Sequence, residues 1–317
     1  HPHDPLLPGL ATALDGGAVA RLLGIAGTVD LDLIAYRPMR RAVVRAVETR
    51  TDRAWYLKVL RPDRAGATIA AARALGPLTP QPEILAPGLL AIPEAAGLPL
   101  VELVADPSVT AARVANIVAE AALRLPDAVV ALPSRPSWVA RRSVYARHAL
   151  ERGLDAELVR AVTDAVDDAP PSGPLVPTHG DLHLTNVRTD ATQTRVASLI
   201  DVDTVGPGHR VDDLACLVAH VAALPALDEE AYPHARALAL NVADEFAQVP
   251  YCGGIHAHAA AVLLTLAATA DDESLAQEWL AAAADLAGAA SMRDLSQPSP
   301  RGLRLDRESE LAGPQRP

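Results

Sequence analysis

The feature that most narrows the fold is a change of hydrophobic period at Asp106-Pro107. Before it lie short β-prone runs over 31–34, 42–47 and 54–60, separated by polar turns, which predict a small antiparallel sheet. An Ala-rich stretch over 65–75 predicts a helix, and the Pro- and Gly-laden segment 76–97 breaks into loops and short strands before an extended run over 98–104. After the change, apolar residues recur at helical spacing over 110–125, 138–152, 155–166, 209–223, 228–248, 255–270 and 273–287. A Pro-rich approach over 170–174 and two strand candidates, 186–188 and 195–201, interrupt this helical half. The expected class is α+β. It has an N-terminal extension over 1–28, a sheet-bearing lobe over 29–103, a helical lobe over 104–290 and an unstructured tail over 291–317.

At 317 residues, half of them hydrophobic, the chain is long enough for one large domain or two modest ones sharing a cleft. Its formal net charge of −11 repels a nucleic-acid backbone, so nucleic acid is not an expected partner. The same field suits a cationic small molecule, although an acidic balance is also a common route to solubility. Cys216 and Cys252 form no CxxC pair, which argues against a disulfide scaffold or a cysteine zinc site. Neither a signal-like amino terminus nor an apolar run of membrane-spanning length is present, so a cytoplasmic chain without membrane partners is expected. Of 28 basic residues 27 are Arg, and the exception is Lys58.

The chemistry concentrates in His179-Gly180-Asp181-Leu182-His183-Leu184-Thr185-Asn186, followed downstream by Leu199-Ile200-Asp201-Val202-Asp203. Phosphoryl transfer needs a carboxylate within reach of an acceptor hydroxyl, here Asp181. It also needs an amide oxygen and a second carboxylate to hold Mg²⁺ against the phosphates, here Asn186 and Asp201. A strand-borne lysine far upstream pairs with the phosphates in such sites, and Lys58 lies in an alternating run. A compact point charge serves there better than a planar guanidinium, which gives a reason for one lysine among so many arginines.

These residues, with Gly206-Pro207-Gly208 and Asp213-Leu214-Ala215, resemble the aminoglycoside phosphotransferase and choline-kinase-like enzymes of the protein-kinase-like fold. The resemblance runs from about Leu31 to Ala223. It implies a two-lobed kinase fold binding ATP and Mg²⁺ in the cleft, with Asp181 as catalytic base, Asn186 and Asp201 on the metal and Lys58 on the phosphates. It further implies that Val101, Glu102, Leu103 and Val104 form a hinge offering backbone groups to adenine, and that Asp213 supports the catalytic loop. The implied activity is a transfer of the ATP γ-phosphate to a hydroxyl of an aminoglycoside-like or amino-sugar acceptor.

Two departures stand out. No Gly-rich loop joins the first two strands, so phosphate contacts there fall to other backbone amides or to side chains such as Arg40 and Arg41. The helix after Lys58 holds no Glu, so either Glu83 or Glu94 substitutes as its partner, or the metal-bound site alone positions Lys58. These departures keep open a non-catalytic nucleotide-binding pseudokinase. A metallohydrolase using His179, Asp181, His183 and Asp201 is the remaining alternative, and it leaves Lys58 and Asn186 without roles.

Blander readings weigh on the other residues. Asp203 is evenly a second metal contact or a structural acid, and His179 and His183 read as loop hydrogen-bonding residues. His256 and His258, one residue apart on a helix, point to different faces. The acidic clusters 228–230 and 271–273 fall at expected helix starts, where the macrodipole accounts for them; the other role open to them is binding ammonium groups of an acceptor.

Overall fold

The computed structural model of the protein describes residues 3–294. A five-stranded antiparallel sheet forms one lobe, with strands β1 (Val29–Arg37), β2 (Arg41–Glu48), β3 (Ala54–Leu60), β4 (Glu83–Ala86) and β5 (Leu89–Pro93) in the order β1-β2-β3-β5-β4. Along β2 burial alternates strictly, with Ala42, Val44, Ala46 and Glu48 inward, as a two-residue side-chain period requires. The chain before the sheet belongs to the same core. Helices α1 (Leu10–Ala13) and α2 (Gly16–Leu22) pack with Leu7, Leu10 and Val19 against Val44, Leu57 and Leu89. Full burial of a leucine contributes about 1.5–3 kcal/mol, so Leu7 and Leu10 bind this segment firmly to the sheet.

Helix α3 (Pro62–Leu75) follows β3, opened by Pro62 at its first position and closed by Gly76 at φ +59°. The chain leaves the sheet after β5 and crosses at Glu94–Gly97, residues 94–97, into β6 (Leu98–Pro99). The extended run expected over 98–104 is therefore only two residues long. Leu100–Ala105 is helix α4, because Leu100, Leu103 and Val104 are drawn into the core of the helical lobe.

That lobe holds α5 (Ala111–Leu123), α6 (Arg142–Glu151), α7 (Ala156–Asp167), α8 (Arg210–Leu227), α9 (Ala235–Ala247), α10 (Ile255–Thr269) and α11 (Glu273–Asp294). Helices α8 and α10 are apolar nearly all round and lie at its centre, as such helices must. Short strands β7 (Val176–Thr178), β8 (Val187–Thr189), β9 (Val196–Leu199) and β10 (Gly206–Gly208) form two small antiparallel sheets, β10-β7 and β6-β8-β9, at the lobe's face.

The helix expected over 228–248 begins only at Ala235. Pro233 disfavours a helical Tyr232, and residues 228–234 form turns. The cluster Asp228, Glu229 and Glu230 thus sits in an exposed turn after α8, where Asp228 accepts from the Ala231 amide at 2.9 Å, and no helix dipole explains it. Asp272 does cap α11, accepting from the Leu275 amide at 2.8 Å. Of the tail expected over 291–317, residues up to Asp294 continue α11 and the rest lies outside the described residues. Among the described residues no helix is long and apolar enough to cross a membrane.

Candidate active site

The loop from β7 to β8 carries His179 to Asn186, and α8 holds its shape from below. Asp213, fully buried on the first turns of α8, accepts from the His179 amide at 2.6 Å and the Gly180 amide at 2.7 Å. These two bonds give the loop support that the resemblance assigned to Asp213. Gly180 has φ +79°, and a Cβ there would sit 2.5 Å from the Thr204 carbonyl oxygen, so only glycine passes. The Thr204 hydroxyl donates to the His179 carbonyl at 3.0 Å, and His179 Nε2 lies 3.0 Å from the Ile200 carbonyl. His179 is completely buried and structural.

Asp181 follows, its side chain about one-quarter exposed. The Cys216 thiol donates to Oδ1 at 3.8 Å, and His183 Nε2 lies 3.8 Å from Oδ2. Burial pushes this carboxyl above the ordinary range; the nearby His220 and His179 pull it back, and the Asp201 charge adds to the rise. His183 stacks on His220 with ring centroids 4.6 Å apart, and burial lowers both imidazoles to about 4. Both rings are neutral at pH 7. Cys216 and His220 were not anticipated, yet Asp213, Cys216 and His220 recur at i, i+3 and i+7 on α8. That helical spacing was the signal that could have placed them together on the face beneath Asp181.

Asn186 is buried, and its Nδ2 donates to the Asp181 carbonyl at 3.0 Å, leaving Oδ1 as the oxygen able to meet a hard cation. Its own carbonyl accepts from the Ile200 amide at 3.0 Å, which ties the loop to the segment carrying Asp201. Asp201 adopts φ +54°, ψ +59°, a left-handed conformation tolerated by a short polar side chain. Burial alone would raise its carboxyl, but the Lys58 charge and hydrogen bond, with Arg41, bring it below the usual value.

Lys58 lies between Val43 and Leu90 at the centre of the sheet, 6% exposed. Its Nζ is 2.9 Å from Asp201 Oδ1 and 2.6 Å from Asp203 Oδ2. Neither expected partner is used: Glu94 binds Arg45 at 3.1 Å across the strands, and Glu83 is exposed on β4. Asp203 is the nearer of the two carboxylates, and α3 reaches it through Thr68, whose hydroxyl donates to Asp203 Oδ1 at 2.7 Å. Asp203 thus contacts Lys58 and Thr68, as Asp201 contacts Lys58 and Arg41. Thr68 was overlooked because a threonine inside an Ala-rich helix carries no charge signal.

Arg41 NH1 stands 3.9 Å from Asp201 Oδ2, whereas Arg40 is exposed at the β1–β2 turn. Val101, Glu102, Leu103 and Val104 do not form an extended hinge. Their backbone is helical in α4, Leu103 and Val104 are buried in the helical lobe, and the Val104 carbonyl accepts from His234 Nε2 at 2.9 Å. The chain that crosses between the lobes is 94–97, where the Ala96 carbonyl already accepts from the Ser198 hydroxyl at 2.7 Å.

Other histidines are engaged elsewhere: His256 lies 3.0 Å from Asp244 and His258 2.8 Å from Asp212, so the two do serve different faces of α10. Among the described residues no three His, Cys, Asp or Glu side chains converge with metal-holding geometry. A cavity of about 330 Å³ opens against Gly180, with Trp138, Arg135, Arg141, Gly208 and Asp212 on its wall.

Residues 40–295 match the model of the phosphotransferase enzyme family, APH. No curated protein matches the chain significantly. Among solved structures, a thermostable mutant of aminoglycoside phosphotransferase APH(4)-Ia superposes with a TM-score of 0.55 at 17% identity, covering 89% of this chain and 100% of that one. The GDP complex of wild-type aminoglycoside 2'-phosphotransferase-IIIa gives 0.55 at 13% identity, with 87% and 97% covered. A choline/ethanolamine kinase family protein from Mesorhizobium loti gives 0.53 at 17% identity, with 89% and 98% covered. At these identities the superpositions establish the kinase-like fold, and the family match spans most of the sequence, both lobes and the whole His179 to Asp213 constellation. The chain belongs to the phosphotransferase enzyme family.

Proposed function

We propose that the protein transfers the γ-phosphoryl group of Mg²⁺-bound ATP to a hydroxyl of a small amino-sugar or aminoglycoside-like molecule. One observation carries the reading: a buried lysine, two carboxylates, an amide oxygen and a separate, half-buried Asp181 meet on one catalytic loop and its neighbours. The donor set fits the metal, because Asn186 Oδ1 and the Asp201 carboxylate are hard oxygens of the kind Mg²⁺ takes. When bound, Mg²⁺ would neutralise charge on the β- and γ-phosphates. Lys58 donates to phosphate oxygens, released in part from its two carboxylates, and the backbone of 94–97 is the hinge facing adenine.

Asp181 accepts the acceptor hydroxyl's proton as that oxygen bonds to the γ-phosphorus and the bond to the β–γ bridging oxygen breaks. Its carboxyl, raised by burial, is a stronger base than a solvated aspartate. The pseudokinase alternative drew on the missing helix Glu and Gly-rich loop; against the first, Lys58 has carboxylate partners in Asp203 and Asp201.

The net charge of −11 favours a cation, and Asp228, Glu229 and Glu230 are exposed on the helical lobe. The cavity beside Gly180, however, sets Arg135 and Arg141 beside Asp212, so charge there does not select a polycation. The test is mass spectrometry of pooled aminoglycosides, amino sugars, choline-like alcohols and simple sugars after incubation with protein, Mg²⁺ and either ATP or GTP. A phosphoryl mass gain with wild type, reduced about 10²–10⁴-fold in rate by Asp181→Asn, supports the assignment. An Asp181→Asn protein as active as wild type overturns it.

A further inference from the structure

The turn between β1 and β2 lacks glycine, yet its tip adopts a glycine-like backbone: Met39, exposed, has φ +59°. A left-handed conformation at a long non-glycine side chain is disfavoured, because its Cβ crowds the following carbonyl oxygen, so something must hold it. The group that does so comes from far away in sequence. Asp4 is 7% exposed; its Oδ2 accepts from the Met39 amide at 2.7 Å and from the Tyr36 hydroxyl at 3.0 Å, while Oδ1 accepts from the Leu6 amide at 3.0 Å. The Met39 amide is the largest of the influences that lower the Asp4 carboxyl, so the pairing is with the ionised form. Leu7 and Leu10, buried under the sheet, fix the segment that presents Asp4.

What the turn holds in place is Arg41. The Arg40 amide donates to the Arg37 carbonyl at 3.0 Å to close the hairpin, Arg37 and Arg41 are paired across it, and Arg41 is two residues from Met39. From there its guanidinium reaches to 3.9 Å from Asp201. Remote capture of the Met39 amide therefore sets the reach of a cation bordering the proposed metal and phosphate site.

We propose that Asp4 is a positioning residue for triphosphate binding: it fixes the β1–β2 turn, and through that turn Arg41, in place of a Gly-rich loop. The proposal rests on the nucleotide reading above. The class of ligand sensed is the polyphosphate of a nucleotide, and the adenine end is unaffected.

Calorimetric titration of the full chain with a Mg²⁺-bound non-hydrolysable ATP analogue, and separately with AMP, tests this. Asp4→Ala is expected to weaken the ATP analogue roughly tenfold while AMP affinity stays within about twofold, the loss of charge-assisted bonds being felt only at the phosphate end. Arg41→Ala should weaken the analogue similarly, and the double variant should lose little more than either alone, because both act through one contact. Tyr36→Phe, which removes one of the three donors, should weaken the analogue by a smaller factor and covers the case in which Asp4→Ala does not fold. Additive losses, equal losses for AMP and the analogue, or unchanged affinity in both Asp4→Ala and Tyr36→Phe overturns the proposal. A wild type that binds neither nucleotide overturns the kinase reading itself.

Discussion

Lys58 lies closer to Asp203, at 2.6 Å, than to Asp201, at 2.9 Å, so the acid two residues beyond the proposed metal ligand is the lysine's nearer partner. On the proposed reading the two carboxylates have separate roles, Asp201 toward Mg²⁺ and Asp203 toward Lys58. Asp201→Asn should raise the Mg²⁺ concentration needed for half-maximal activity and cut kcat about a hundredfold or more, while Asp203→Asn should leave the Mg²⁺ requirement near wild type and raise the KM for nucleotide. Steady-state rates across a Mg²⁺ series check this. An equal shift in Mg²⁺ requirement for both variants would return Asp203 to the metal.

Thr68 links α3 to that pair by one hydroxyl. Thr68→Val keeps the volume but leaves Asp203 short of a donor, and should destabilise the fold by about 1–2 kcal/mol and lower kcat/KM for nucleotide. Thr68→Ser should restore most of both. Urea melts and steady-state kinetics on the three proteins decide it; a serine variant no better than valine means that packing, not the hydrogen bond, is what Thr68 contributes.

At Gly180 the backbone permits no Cβ, since the Thr204 carbonyl would lie 2.5 Å from it. Gly180→Ala should cost about 2 kcal/mol or more of stability, or open the loop and lose turnover while nucleotide still binds. An alanine protein with wild-type melting and wild-type rate would show that the loop has slack.

The stacked imidazoles carry a pH signature. Burial lowers His220 to about 4 from an ordinary 6.5, so as pH falls from 6.5 toward 4 the unfolded chain takes a proton that the folded protein refuses. The contribution of the neutral ring is fully present above about 6.5 and is lost as pH drops through that window. His220→Phe, which keeps a ring against His183, should lose less stability between pH 7 and pH 4.5 than wild type. Parallel denaturant titrations at both pH values measure the difference, and identical acid slopes would count against a buried neutral His220.

Much of this architecture is legible in the sequence. The strands around Lys58, the helices that follow and the loop from His179 to Asn186 all announce themselves through period and residue type, because burial of one face imposes the pattern locally. The errors fall where distant chain decides. Residues 98–104 read as an extended run, but the helical lobe needs Leu100, Leu103 and Val104 on one side and winds Leu100–Ala105 into α4. The helix expected from Asp228 ignored Pro233. Lys58's partner is not legible locally: the following helix has no glutamate, and the acid arrives from Asp203, 145 residues downstream of the lysine, a pairing that only the tertiary fold brings about. Asp4 was invisible for the same reason: nothing near it in sequence marks it as the partner of a turn 35 residues on.

The lysine that anchors the cleft is the only one in the sequence, and the folded protein keeps it 6% exposed behind two carboxylates. Any amine-directed chemistry aimed at side chains therefore has a single address. Acylation at that address counts molecules whose cleft has been entered, so the yield of one labelled peptide becomes a direct gauge of access to the site, with no background from a lysine-rich surface.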